Sequence, residues 1–168
     1  MDMSFTQEEL AFRDEVRQFL ADQLPETAIA TRVAADDWRA AIRAAGDRLV
    51  ATGVATAAYT DEMIAAVDEH GPYIVIAPGF ALAHSRPSPA VLRTGISWVS
   101  LAEPVAFGSK ANDPVRLVVG LAATDHDGHL EIMSALAGIL ANDDAFQALL
   151  AADSPATVRS LLGEHAVA

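Results

Sequence analysis

Residues 115–124 read VRLVVGLAAT. The run is almost continuously apolar. A β-strand sends successive side chains to opposite faces of its sheet, so an unbroken apolar strand is expected where both faces are covered. The flanking sequence supplies the rest of such a sheet. YIVIAP, GFALAH and TGISWVSL lie upstream, each a short apolar run bounded by turn residues. Helical periods lie on either side of this β region. Trp38, Ile42, Ala45 and Leu49 recur at helical spacing from a start near Asp37 to a stop at Gly53. A second helix is expected from Thr60, with Tyr59 and Ile64 as a staple, to Gly71-Pro72. Downstream, Leu130, Met133, Ala137 and Leu140 predict a helix whose N-cap is Asp127. A short helix over 146–150 follows, then one opened by Ser154 and Pro155. The order helices, strands, helices predicts an α/β three-layer sandwich, a sheet with helices on both faces.

The N-terminus is separate in character. SFTQEELAFRDEVRQFLADQLP has capping-box spacing at Thr6 and Glu9, and Phe12, Val16, Phe19 and Leu20 on one face. It reads as an amphipathic helix ended by Pro25, and PETAIATRVAADD reads as a linker. Residues 1–30 are thus expected to form a helix and linker, and residues 31–168 a domain.

Composition narrows the function. The 168 residues suit one domain with a sizeable core. Net charge is −12, which disfavours nucleic acid and anionic membrane surfaces. No apolar run approaches the ~20 residues of a membrane span, and no signal peptide is visible. The absence of cysteine excludes disulfides and thiolate metal sites.

The candidate chemistry lies in the histidines. His70 and His165 fall at helix ends, where surface placement suffices as an explanation. His84, His126 and His129 fall at the ends of apolar strands, where α/β folds build sites. His84 sits in FALAHSRP, residues 80–87, beside the hydroxyl of Ser85 and the guanidinium of Arg86. The plainer alternative is a buried histidine satisfied by a backbone carbonyl. A neutral imidazole surrounded by hydroxyl, amide and guanidinium donors is also suited to accepting a phosphoryl group. One ring nitrogen attacks while the other holds its proton on an acceptor, and the donors neutralise the phosphoryl oxygens. In ATDHDGHLEIM, His129 falls in the first turn of a helix, where free N–H groups favour an anion. The same string offers His126, His129 and Asp125 or Asp127 to a metal, but a zinc site needs three protein ligands and an ordered second shell. There is no G-x-S-x-G elbow, dinucleotide fingerprint or P-loop.

GPYIVIAPGFALAHSRP, followed by DPVRLVVGLAATDHDGHLEIMSALAGIL, resembles the enzyme IIA component of the sugar phosphotransferase system. The likeness is to the mannitol–fructose superfamily and, through EHGPYIVIAPG, to its ascorbate-type branch. It runs from about Ala34 to the C-terminus. The resemblance implies a mixed, roughly five-stranded sheet between helical layers, the mannitol-type enzyme IIA fold. It implies that His84 accepts a phosphoryl group from the histidine-containing phosphocarrier protein and passes it to a cysteine on a cognate enzyme IIB, which serves the permease enzyme IIC. It places His129 beside His84; Ser85 and Arg86, by the donors they carry, are the expected phosphate-binding or supporting residues. It implies a cytoplasmic protein without cofactor or metal, not inserted in the membrane, and leaves a homodimer open. Ala83 stands where the family usually has proline, and Ser85 where glycine or alanine is common. The first 25 residues resemble the opening helix of acyl-CoA dehydrogenases but include no flavin or CoA residues. Two other readings share these residues: a regulatory module of the same fold, and a metal-dependent hydrolase built on His84, His126 and His129.

Overall fold

The computed structural model describes the backbone of residues 24–140 and 142–167, and the side chains of all these except 126, 128, 129, 131, 139 and 163–167. The N-terminal helix expected before Pro25 lies outside the described residues. The centre of the fold is a five-stranded mixed sheet of order β1-β4-β5-β3-β2. Its strands are β1 (Ile29–Val33), β2 (Val75–Ala77), β3 (Phe80–His84), β4 (Gly95–Val105) and β5 (Val115–Ala122). β5 runs parallel to β3 and antiparallel to β4, while β1 is parallel to β4 and β2 antiparallel to β3.

The apolar run from Val115 forms β5, between two strands and under two layers. Val118 and Ala122 pack against α1 (Trp38–Ala51) and α2 (Ala57–His70). Leu117, Val119 and Leu121 pack against α3 (His126–Leu140), α4 (Asp143–Ala151) and α5 (Pro155–Val167). All five of these β5 side chains have no measurable exposure. At ~1.5–3 kcal/mol per buried aliphatic side chain, this double burial is the main force holding the layers together. The helix ends follow their caps. Asp37 accepts from the N–H of Ala40 at 2.8 Å, and Asn142 from Ala145 at 2.9 Å. The Thr157 N–H reaches Ser154 Oγ at 3.2 Å, and Gly71 closes α2 at a φ of 83° that side chains disfavour.

Several sequence expectations are corrected. The stretch expected as linker enters the structured core: Glu26–Ala28 form a 3-10 turn, and Ile29–Val33 form an edge strand. That strand is irregular, with a register shift between Ala30 and Val33 and Arg32 at a φ of 53°. The Arg32 N–H is held by Ser100 Oγ at 3.0 Å. α2 begins at Ala57 rather than Thr60, so Tyr59 and Thr60 are buried inside the helix and form no staple outside it. α3 begins at His126, which makes Asp127 a first-turn residue rather than the N-cap. Its buried stripe is Ile132, Ala135 and Leu136, while Leu130 is 51% exposed.

Close approach of α1 to the sheet depends on small residues. Ser97, Gly120 and Ala83 lie side by side across β4, β5 and β3. A Cβ on Gly120 would lie 2.4 Å from Ser97 Oγ and 3.2 Å from Leu49 Cδ1. Ser97 Oγ itself donates to the Ala45 carbonyl of α1 at 2.8 Å. Gly120→Ala is therefore expected to destabilise the fold by ~1–3 kcal/mol through overpacking. Ser97→Ala should cost ~1 kcal/mol through its lost hydrogen bond. Because the second change opens the space the first needs, the double variant should lose less than the sum in urea denaturation. Strict additivity would show that the contact is not limiting.

Candidate functional site

β3 and β5 run in the same direction, and His84 is in register with Leu121. Their C-terminal ends therefore share one rim of the sheet. α3 begins just beyond the end of β5, so its N-terminal turn rises from that rim. This is the position at which α/β sheets present ligand-binding groups. It follows from the topology, because the loops leaving two neighbouring parallel strands must emerge together.

His84 is the last residue of β3 and is half-buried. Its Nδ1 lies 2.7 Å from the Leu82 carbonyl oxygen. A carbonyl oxygen only accepts, so Nδ1 carries the hydrogen, and the lone pair of the neutral ring lies on Nε2. The expectation of a carbonyl-satisfied histidine is thus met at one nitrogen. The ring nevertheless stands at the mouth of a groove of about 830 Å³, not in the core. Glu62, Glu69 and His70 of α2 line that groove together with Tyr73, His84 and Arg86.

Two tyrosines hold the segment. Tyr59 Oη donates to the Leu121 carbonyl at 2.7 Å and accepts the Ser85 N–H at 3.0 Å, with the Ser85 carbonyl 3.2 Å away. One hydroxyl thus ties the residue after His84 to the strand partner of His84. Burial pushes Tyr59 from its ordinary 10.0 up to about 12, against the lowering effect of its bond to Ser85. Tyr73 places its ring 5.4 Å from that of His84, edge to face at 84°, and donates to the His84 carbonyl at 3.3 Å. Burial raises the pKa of Tyr73 too. Further along the loop, Ser88 Oγ donates to Glu62 at 2.8 Å and accepts the Ala90 N–H at 3.1 Å.

Ser85 is half-buried beside His84, and Arg86 is exposed at the groove edge. The backbone of His129 lies in the first turn of α3, as expected. The side chains of His126, His129 and His165 lie outside those described. His70 ends α2 with an exposed side chain that meets the Tyr73 ring edge-on at 6.2 Å. Ala83, at the position of the usual proline, is fully buried and paired with Gly120. Among the described residues, no group of three or more His, Cys, Asp or Glu could hold a metal ion. Neither tyrosine has a local sequence signal for this role: Tyr59 has staple spacing to Ile64, and Tyr73 belongs to an apolar run.

Residues 22–165 match the family model described as phosphoenolpyruvate-dependent sugar phosphotransferase system, EIIA 2. An ascorbate-specific PTS system EIIA component from Shigella boydii is 34% identical over 145 residues, spanning 85% of this chain and 94% of that protein. The solution structure of the mannitol-specific cryptic phosphotransferase enzyme IIA from Escherichia coli superposes with a TM-score of 0.77 at 30% identity, over 86% of this chain and 98% of that one. A complex of mannitol enzyme IIA with phosphorylated enzyme IIB from Escherichia coli gives a TM-score of 0.73 at 25% identity, covering 83% and 96% of the two chains.

The Tyr59 hydroxyl makes a pH-dependent prediction. Unfolded, it ionises near 10.0; folded, near 12. Its stabilising contribution is complete below pH 10 and falls by about 1.4 kcal/mol per unit as pH rises towards 12. Tyr59→Phe should cost ~1–3 kcal/mol at neutral pH by leaving buried backbone groups unpaired. It should also flatten the alkaline loss of stability. Parallel urea melts at pH 8 and pH 11.5 test this; equal alkaline losses in both proteins would contradict it.

Proposed function

The chain belongs to the EIIA 2 family of the phosphoenolpyruvate-dependent sugar phosphotransferase system, and from that premise we propose that it is a phosphoryl carrier with His84 as the acceptor. The observation that carries this reading is the 2.7 Å bond from His84 Nδ1–H to the Leu82 carbonyl. It fixes the tautomer in which Nε2 is the nucleophile, at the rim where an incoming protein can reach the ring.

The donor is the phosphohistidine of the histidine-containing phosphocarrier protein. Nε2 attacks its phosphorus in line. The new P–N bond forms on Nε2 as the old one breaks, and the donor's ring nitrogen keeps the electron pair. Through the transfer, Nδ1–H stays on Leu82 O, which stabilises the positive charge that builds on the imidazole. Ser85 Oγ and Arg86 neutralise charge on the phosphoryl oxygens. His129, in the first turn of α3, donates a ring N–H to one of them, and the free N–H groups of that turn favour the anion. The phosphoryl group then leaves for the cysteine of a cognate enzyme IIB, which supplies the permease enzyme IIC. The enzyme IIA–IIB complex among the structural neighbours supports this partner. Relatives named ascorbate-specific support an ascorbate-like cargo. None of the described helices is long and apolar enough to cross a membrane, which accords with a carrier acting in the cytoplasm between donor and permease.

The test is intact-mass measurement after incubation with the phosphocarrier protein, its activating kinase and phosphoenolpyruvate. One acid-labile gain of about 80 Da is expected in the wild type and none in His84→Ala. His129→Ala should still accept phosphate, with a rate lower by ~10²-fold for one lost oxyanion donor. An unchanged gain in His84→Ala would refute the assignment.

A further inference from the structure

Tyr73 is the unusual member of its stretch. Ile74 and Val75 are buried, yet Tyr73 is 42% exposed and lines the groove in front of His84. Two imidazoles meet it nearly perpendicularly, His84 at 5.4 Å and His70 at 6.2 Å between ring centroids. Its hydroxyl reaches the main chain of His84 itself.

Imidazole presents a choice that other nucleophiles do not. A half-turn about χ2 moves Nδ1 away from the Leu82 carbonyl and changes which nitrogen faces the groove; both torsional wells are open to an unconstrained ring. The Leu82 hydrogen bond favours one of them, but a single neutral hydrogen bond is worth only ~0.5–1.5 kcal/mol net, about one power of ten in population. An aromatic ring packed nearly perpendicular to the imidazole, as Tyr73 is at 5.4 Å, adds a similar amount.

Resting on the carrier reading above, we propose that Tyr73 is a positioning residue that confines His84 to one ring orientation and so restricts phosphoryl transfer to Nε2. The ring supplies most of the effect. The hydroxyl contact to the His84 carbonyl, at 3.3 Å, is long for an O–H···O bond and contributes less.

The experiment uses the full chain with ¹⁵N-labelled histidine, as wild type, Tyr73→Phe and Tyr73→Ala. Nitrogen chemical shifts of the unphosphorylated proteins report the His84 tautomer. After phosphorylation by the phosphocarrier protein, ³¹P–¹⁵N correlation reports which nitrogen bears the phosphate. The wild type and Tyr73→Phe should show the Nδ1–H tautomer and phosphate on Nε2 alone. Tyr73→Ala should show mixed tautomers and phosphate on Nδ1 in roughly a tenth or more of the product, with KM for the donor unchanged. A Tyr73→Ala protein with the wild-type tautomer signature and Nε2 phosphate alone would overturn the proposal. If the wild type takes no phosphate, the carrier reading fails, while the tautomer comparison still decides for or against Tyr73.

Discussion

The structure depends on one constraint: β5 must be kept dry on both faces. Leu117, Val119 and Leu121 point to one helical layer, and Val118 and Ala122 to the other. No single layer satisfies a strand of this composition, so the chain wraps helices around both sides of the sheet. Space for one of them comes from the row Ser97–Gly120–Ala83, where the lack of bulk lets α1 approach. At Ala83 the backbone is fixed by strand pairing with Gly120 and by complete burial, restraints that a flexible loop would lack.

The site is a consequence of that arrangement. Because β3 and β5 are parallel neighbours, the residue that ends one and the helix that follows the other meet at a common rim. His84 is therefore presented at the end of a strand paired along its length with the buried β5. Its immediate environment is made largely of backbone groups. Leu82 O orients the imidazole, while Tyr59 joins Ser85 to Leu121. Main-chain atoms at the end of a paired strand move little, so the imidazole is preorganised before any partner arrives. The groove edge around Arg86 is exposed.

The sequence made four of the five strands legible, because unbroken apolar runs between turn residues have few other uses. β1 was hidden. In IATRV only Ile29 is buried, and the irregular backbone at Arg32 breaks the alternation that would announce a strand. The phase of α3 is ambiguous for the opposite reason. LEIMSALAGIL is so rich in apolar residues that more than one stripe fits the helical period, and the stripe through Leu130 is one that the fold leaves partly exposed. At the site, His84 and its loop could be read because ring, hydroxyl and guanidinium are adjacent in sequence. Tyr59 and Tyr73 could not. Tyr59 meets Leu121 across 62 positions and Tyr73 meets His84 across 11, and no local pattern encodes such pairings.

The central claim is that phosphate on His84 is in transit. The most direct measurement is a rapid-quench chase in which the chain, phosphorylated with ³²P and freed of its donor, is mixed with purified cognate enzyme IIB. The account predicts that the label moves to enzyme IIB, that little appears as inorganic phosphate, and that His84→Gln carries no label to transfer. Label that stays on this chain, or leaves it only for water, would contradict the account.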